Sequence, residues 1–580
     1  MGVSSQRGNP ESEVSLSPIG LAVSESLQMA RYLVFVIAPV GALVGAAIAA
    51  YDWVVNELLW KHIAEHSLAV QIVAPAVGMF LTGCILQAFR VRSSSMADEV
   101  VAAYHDPDVK MPLDKALPKL AASCTTMGFG ASAGMEGASK WLGASVGLAV
   151  QRLFNRLSLR ASQGSHRTTM LAGGSAGIAA IFRAPLSGAI MGVESPYKHD
   201  LAHEAVVPAL VASAFSFWTF TRFRPATPYF PISFHYAPTG RDLFVAVPLG
   251  LSAGVASHLF LGSLGKLRNA WTKSNLPIPV RTTVGGLLVA LIAYVSTRVV
   301  GAPVTLHSGL PVANALLAGK YALGMCVAIF LLKLAATSIT FGSGGVGGLF
   351  VPTATIGAAL GACWDAIIPG SQPGVYTLLG IAAFSGASYN SLLFAAVFIA
   401  EATGNAFLVV PALIASAVAF VTTAGISNSR AQKPRRLEIE DKLETIPVET
   451  VMTHRIVTVS PDQTLDVFAR SVLLGHHHKA LPVIDGDGRL RGMISLARLR
   501  RVPMSEWTHV RVEYVMDEQA KTLCPHHSIA QARRTLEREA ADYIPIVDPS
   551  TYQLVGILSA TDLARTPVPP RSSPTPSQLS

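Results

Sequence analysis

The chain has 580 residues, of which 51% are hydrophobic and only 14% are charged, and its mean hydropathy is +0.43. A wholly soluble chain would carry about a quarter charged residues, so this composition excludes one. The net charge of +9 reflects Lys and Arg beside membrane segments rather than nucleic-acid binding. The five cysteines include no CxxC pair, so neither a disulfide framework nor a metal site is expected.

The charged residues divide the chain into a membrane part and a soluble part. Residues 1–26 are polar and lack the basic-then-apolar order of a signal peptide, which predicts a short cytoplasmic N-terminus. Charges are sparse over residues 27–426, the predicted transmembrane domain, whose halves span about 27–220 and 240–426. A basic cluster from Arg430 to Arg436 follows the last apolar segment and predicts a cytoplasmic C-terminal part. A bacterial inner membrane is the expected location.

The apolar segments do not read as plain membrane-spanning helices. A simple span needs about 20 apolar residues, and several segments are shorter, longer or interrupted by Gly and Pro. Irregular backbone at membrane depth is tolerated where it is buried in protein or lines a wet cavity. We therefore predict a multi-pass α-helical membrane protein with broken helices, surrounded by the lipid bilayer.

The stretch GFGASAGMEGASKWLG, residues 128–143, places one carboxylate, Glu136, among four glycines. A carboxylate at membrane depth is costly and therefore marks a functional site. Glu136 is predicted to act as a gate or a proton acceptor at a helix start, and the alternative is a simple helix cap. Lys140 lies one turn further on and either interacts with Glu136 or faces a polar vestibule.

Two pairs of stretches recur in the same order and indicate an internal repeat. Residues 128–143 correspond to FGSGGVGGLFVP at 341–352, and residues 173–194 correspond to 380–402. Both offsets are just over two hundred residues. Halves that each carry a Gly-broken segment at the same place are typical of transporters with a central binding site.

Helix N-termini offer an anion partial positive charge and free amide donors without trapping it. Three stretches supply such amides: Ser93–Ser95, Gly134–Ala138 and Gly348–Pro352. The predicted chloride-binding residues are Ser94, Gly134, Gly137, Gly348, Leu349 and Phe350. The amides of Leu349 and Phe350 are expected to point at the ion.

Residues after 426 predict a linker and two α/β repeats. The linker spans 427–445, the repeats span 446–504 and 511–566, and a disordered tail spans 567–580. Each repeat combines a strand pair, ALPVID with GMIS or YIPIVD with GILS, and flanking helices. The run His476–His478 suggests a solvated loop rather than a metal site, because three consecutive residues do not share one face.

These motifs resemble the CLC family of chloride channels and chloride/proton exchangers, which often carry a cytoplasmic pair of CBS domains. The resemblance covers residues 30–566 and is carried by GGLFVP (347–352), AAIFRAPLSG (179–188) and TGNAFLVVP (403–411). It implies an inverted repeat, a homodimer and chloride as the transported ion. The family's gating glutamate falls on Glu136, without the usual flanking basic residue and proline.

Two further family positions differ. The resemblance places a chloride-coordinating tyrosine at Ala406 and an internal proton-relay glutamate at Ser195, with Glu194 one residue before it. Tight chloride/proton coupling is therefore in doubt, and channel-like or weakly coupled chloride conduction is favoured over a coupled chloride/proton antiporter. Ser94 falls in the family's inner anion motif, which does not exclude fluoride or nitrate.

The CBS pair resembles adenine-nucleotide sensors, and this resemblance implies binding of ATP or AMP. The ribose-binding pattern is present in the second repeat as Gly556, Ser559, Thr561 and Asp562, whereas Arg498 replaces the Asp in the first. The alternative is a purely structural dimerisation module. An intramembrane metalloprotease would need HExxH, and the nearest match, His203 to Val207, lacks the second His, so a transport protein and not an enzyme is predicted.

Overall fold

A computed structural model of the chain describes most residues from Ser26 to Arg565. The described ranges are 26–91, 95–106, 111, 115–156, 165–225, 227–232, 234–274, 276–368, 370–423, 425–434, 443–444, 446–475, 480–539 and 541–565. The chain divides into two units, one up to Arg435 and one from Arg436. The predictions for residues 1–25, Ser94, His476–His478 and the tail 567–580 lie outside the described residues.

The regular secondary structure of the first unit's described residues is helical, apart from isolated β-bridges. Its first eight helices are α1 (Ser26–Ala64), α2 (Leu68–Ala88), α3 (Met96–His105), α4 (Ala116–Gly128), α5 (Glu136–Arg156), α6 (Ser165–Phe182), α7 (Pro185–Glu194) and α8 (His203–Phe223). The next eight are α9 (Gly240–Lys273), α10 (Ile278–Val300), α11 (Leu310–Leu317), α12 (Leu323–Gly342), α13 (Phe350–Ile367), α14 (Val375–Tyr389), α15 (Leu392–Thr403) and α16 (Ala406–Thr422).

The two sets of eight helices correspond in order, and this correspondence confirms the predicted repeat. A long first helix opens each set, and the fifth helix packs on the sixth in both, α5 on α6 and α13 on α14. The first helix also packs on the eighth in both, α1 on α8 and α9 on α16. The two seventh helices, α7 and α15, pack on each other across the halves.

Broken helices are also confirmed. Seven helices of the described residues are long and apolar enough to cross a membrane, among them α2, α10 and α12. Others are too short to cross alone, such as α7 with 10 residues and α15 with 12. Their ends therefore lie inside the protein, where their unpaired amides need partners.

The two short helices α7 and α15 supply these partners to each other. Glu194, the last residue of α7, accepts hydrogen bonds from the amides of Leu393 (3.1 Å) and Phe394 (3.0 Å) at the start of α15. Glu401, near the end of α15, accepts bonds from the amides of Leu186 (3.0 Å) and Ser187 (2.8 Å) at the start of α7. Each carboxylate thus neutralises a positive helix end of the other half.

The second unit contains two antiparallel strand pairs with flanking helices. In the first repeat, β1 (Ala480–Ile484) pairs with β2 (Leu490–Ser495), between α17 (Leu465–Gly475) and α18 (Leu496–Leu499). In the second, β3 (Tyr543–Val547) pairs with β4 (Leu554–Ser559), between α19 (Ile529–Glu539) and α20 (Ala560–Arg565). This arrangement confirms the predicted α/β pair.

We predict that Glu194→Gln and Glu401→Gln each destabilise the first unit by about 1–3 kcal/mol, because an amide NH₂ replaces one acceptor at a helix N-terminus. Thermal unfolding of the purified protein in detergent measures this. Glu65→Gln, at an exposed position, is the matched control and should leave the Tm unchanged. Equal Tm values for all four proteins would contradict the capping role.

Candidate functional site

The two glycine-rich breaks of the repeat meet each other. Gly134 precedes α5 and Gly348 precedes α13, and each amide donates to the other's carbonyl oxygen at 2.6 Å. The pairing is antiparallel, as expected for two strands related by a two-fold axis. A residue with positive φ opens each break, Gly130 at 86° and Gly344 at 109°, where a side chain would be strained.

Glycine is required at these positions because Glu136 lies directly against them. A Cβ atom at Gly134 or Gly348 would overlap the Glu136 carboxyl group. A Cβ atom at Gly137 would press on the carbonyl oxygen of Gly347. The glycines therefore make room for one side chain between the two halves.

The Glu136 carboxylate occupies the N-terminus of α13. The residue is 2% exposed, and its Oε1 accepts a hydrogen bond from the amide of Phe350, the first residue of α13. Its Oε2 has no hydrogen-bond partner among the described residues. The carboxylate thus takes the place that a bound anion would take at this helix end.

Tyr389 completes this arrangement, and sequence analysis did not identify it. Its hydroxyl group accepts from the amide of Leu349 at 3.1 Å and lies 3.5 Å from Oε1 of Glu136. Tyr389 ends α14, and it is 253 residues from Glu136 in the chain. No local pattern marks such a contact, so only the fold reveals it.

Aromatic rings surround the side chain of Phe350, whose amide bonds to Glu136. The Phe350 ring lies 4.9 Å from Phe182, 4.9 Å from Phe394 and 5.0 Å from Phe398, measured between ring centroids. All four rings are fully buried. This cluster packs the start of α13 against α6 and α15.

A cavity in the first unit has a volume of about 30 Å³ and is lined by Glu136, Lys140, Ser195 and Tyr389 among others. This space is large enough for a water molecule or a single monatomic ion. Lys140 is 3% exposed, and its Nζ donates to the Ser195 hydroxyl oxygen at 2.6 Å. A buried ammonium group and a buried carboxylate therefore border the same small space.

The chain after α16 closes the cavity. Asn428, Ser429 and Gln432 line it, and the Gln432 side chain donates to the carbonyl oxygen of Ser195 at 3.1 Å. The Lys433 amide donates to the carbonyl oxygen of Pro196 (3.2 Å), and the Lys433 carbonyl oxygen accepts from the amide of Lys198 (2.8 Å). Residues 427–434, at the start of the stretch assigned to the linker, are thus part of the first unit.

Most of the predicted anion-binding residues come together. Gly134, Gly137, Gly348, Leu349 and Phe350 all lie around Glu136. Ser94 is not described, but its neighbour Ser95 lines the cavity.

Ala406 is not brought to this site. It is exposed and begins α16, whereas the chain reaches the cavity after the other end of that helix. A helix of this length spans about 25 Å. The prediction of Ala406 as an anion-binding position is therefore corrected: Tyr389 supplies the phenol near Glu136 instead.

The predicted nucleotide-binding residues cluster at one end of β4. Asp562 accepts from the Ser559 amide (2.9 Å) and hydroxyl (2.7 Å), Gly556 lies against Met452, and Thr561 is exposed. A cavity of about 690 Å³ lies elsewhere in this unit, lined by Ser495 and Arg498 of the first repeat and Tyr543 of the second. None of the four predicted residues lines it.

One group of side chains in the second unit has metal-ligand atoms close together. The ligand atoms of Cys524, His526 and His527 lie within 4.8 Å of one another. The Nδ1 atom of His527 accepts from the Cys524 amide at 2.9 Å and is thereby occupied. Burial and the neighbouring His526 lower the pKa of His527, which favours its neutral form.

Comparison with protein families gives two matches. The family described as voltage gated chloride channel matches residues 77–424. The CBS domain family matches residues 448–505 and 510–568.

Two curated relatives are similar over most of their own length. A putative chloride channel protein, ClcB-like, of Ralstonia nicotianae is 28% identical over 359 residues, covering 61% of this chain and 82% of the relative. The voltage-gated ClC-type chloride channel ClcB of Salmonella typhimurium is 25% identical over 409 residues, covering 66% and 93%.

Solved structures share the fold. A slow cyanobacterial Cl⁻/H⁺ antiporter matches with a TM-score of 0.59 at 21% identity, covering 67% of this chain and 94% of its own. A CLC-type fluoride/proton antiporter matches with a TM-score of 0.61 at 22% identity. The match covers 72% of this chain and 100% of the antiporter chain. A eukaryotic CLC transporter matches with a TM-score of 0.59 at 18% identity. The match covers 92% of this chain and 98% of the transporter chain.

We predict that Gly348→Ala destabilises the first unit by about 1–3 kcal/mol and moves the Glu136 carboxyl group away from the Phe350 amide, because the added Cβ overlaps it. Thermal unfolding and an experimental structure of the variant measure both effects. Gly262→Ala is the control, since its Cβ would meet open space. An unchanged Tm, together with a Glu136 carboxyl group that still accepts a hydrogen bond from the Phe350 amide, would contradict this close packing.

Proposed function

The chain belongs to the voltage-gated chloride channel family, called CLC, and from this membership we propose that it carries chloride across a membrane along a path closed by Glu136. The family model covers residues 77–424, which include both glycine-rich breaks and the helices that follow them, α5 and α13. The relatives named as chloride channels support chloride as the ion. The matched fluoride/proton antiporter makes fluoride the second anion to test.

One observation carries the gating proposal: the Glu136 carboxylate accepts a hydrogen bond from the amide of Phe350 at the start of α13. Helix N-termini bind anions through free amides and the helix dipole, so a carboxylate and a chloride ion compete for this position. While Glu136 is charged and in place, the path is closed to chloride.

Protonation provides a way to open the path. A neutral carboxylic acid loses its electrostatic attraction to the α13 N-terminus, so chloride can displace it. Chloride then contacts the Phe350 amide, while the Tyr389 hydroxyl group, which has an O–H donor, turns towards it. Gly134 and Gly348 leave the space in which this exchange occurs.

We propose channel-like or weakly coupled conduction rather than tight exchange. Position 195 carries a serine and no carboxylate, and both oxygens of Glu194 are engaged by amides at the start of α15. Glu194 therefore serves as a helix cap and is poorly placed to carry protons. A coupled chloride/proton antiporter is the alternative, and it is favoured by the further ionisable side chains, Lys140 and Asp98, in the cavity of Glu136.

The remaining proposals follow the family. We place the second unit in the cytoplasm of a bacterial cell, next to the basic residues after α16, and propose a homodimer with one path per subunit. We further propose that the CBS pair binds ATP or AMP through Asp562 and thereby regulates transport. The carboxylate of Asp562 at the N-terminal turn of α20 supports a ribose-binding role.

We predict that Glu136→Gln removes the pH dependence of chloride flux. Wild-type flux from liposomes should rise as the pH falls, by up to about tenfold per pH unit while the carboxyl group titrates. The glutamine variant should conduct at all pH values, because it has no charge to compete with chloride. Chloride efflux at pH 5 to 8, with a simultaneous proton readout, measures both properties.

Glu65→Gln, at an exposed position, is the control for this experiment and should behave as wild type. Flux and pH dependence identical in the wild type and Glu136→Gln would contradict the gate. Proton uptake driven by a chloride gradient at a fixed ratio would contradict weak coupling and support the antiporter.

For the CBS pair, we predict that Asp562→Ala weakens ATP or AMP binding about tenfold or more, since it removes a charged hydrogen-bond acceptor. Calorimetry on the full-length protein measures the affinity. Arg498→Ala is the matched change in the first repeat and should have little effect. Weaker binding in Arg498→Ala, with unchanged binding in Asp562→Ala, would place the ligand in the 690 Å³ cavity instead. Absence of nucleotide binding to the wild-type protein would support a structural module.

A further inference from the structure

Lys140 is a buried cation with incomplete hydrogen bonding. It is 3% exposed, its stem lies against Gly174 of α6, and its ammonium group has three donors. One of them bonds to a described residue, the Ser195 hydroxyl oxygen at 2.6 Å. Ser195 in turn donates to the carbonyl oxygen of Gly192 at 3.1 Å, so its own proton is already used.

No described carboxylate forms an ion pair with Lys140 within 4.0 Å. Asp98 lines the same cavity and interacts with Lys140 only at longer range. Glu136, the other carboxylate of the cavity, is directed to the start of α13. A buried ammonium group with one neutral partner is costly, and an anion in direct contact offsets that cost.

The cavity offers a further unused polar group beside Lys140. The hydroxyl group of Ser429 lines the cavity and is buried without a hydrogen-bond partner among the described residues. A hydroxyl group can donate to an anion, and the volume of about 30 Å³ suits a single small ion.

We infer that Lys140 forms an anion-binding site in this cavity, with the Ser429 hydroxyl group as a neutral donor, for a small monovalent anion such as chloride. The inference rests on the proposed transport function, because it assigns the cavity that Glu136 lines to the same ion path. It differs in its chemistry from the α13 site, where neutral amides face the ion.

A full positive charge in the path has a consequence for transport. Such a charge holds an anion more tightly than amides and hydroxyl groups do, so release from this site limits the rate. Flux should therefore saturate at low chloride concentration. Replacing Lys140 by an apolar residue should weaken binding and raise the flux at high chloride.

Calorimetric titration of the full-length protein in detergent with chloride tests the site. Lys140→Met, of similar length without charge, should weaken chloride binding about 10- to 100-fold, as expected for the loss of a charge-assisted bond. Lys140→Arg should retain binding. Asp98→Asn should tighten binding, because it removes a competing negative charge from the same cavity.

A second measurement uses the unmodified protein, so it does not depend on the folding of any variant. In crystals grown with bromide, an anomalous peak should lie in direct contact with the Lys140 ammonium group. Affinity unchanged in Lys140→Met, together with no bromide at Lys140, would overturn the inference. If chloride binding depends on Lys140 but the protein shows no chloride flux, the proposed function is overturned, whereas the anion-binding site at Lys140 is supported.

Discussion

The N-terminus of α13 lies inside the protein, and its amides need hydrogen-bond acceptors. Amides at the start of a helix have no partner within the helix, and Phe350, which opens α13, is buried in a ring cluster with Phe182, Phe394 and Phe398. Glu136 meets this requirement from the other half of the chain. The position of α5, the glycines between the halves and the Tyr389 contact are all arranged around that one carboxylate.

Carboxylates also cap two other helix starts, away from Glu136, and there the result is different. Glu194 and Glu401 cap the starts of α15 and α7, and each of them accepts at least two amide hydrogen bonds through both oxygens. Glu136 differs because only one of its oxygens is bonded to an amide and the other has no described partner next to a cavity. A fully bonded carboxylate holds two helices together, whereas a half-bonded one beside open space can leave.

Local chemistry in the sequence was sufficient to predict the centre of the site. A lone carboxylate among glycines at membrane depth identified Glu136, and the repeated glycine-rich stretch identified the start of α13. Contacts between distant segments were not predictable. Tyr389 reaches Glu136 from 253 residues away, and Gln432 reaches Ser195 from 237 residues away. Ala406 was misplaced because a motif position does not reveal which end of a helix faces the cavity.

The most direct test of the account is the position of the Glu136 carboxyl group in experimental structures of the wild-type protein at low and high pH, with bromide present. The account predicts that the carboxylate lies on the Phe350 amide at high pH. At low pH it should have moved away, with bromide in its place. A carboxyl group that stays on α13 at both pH values, with no anion at that helix end in either structure, would contradict it.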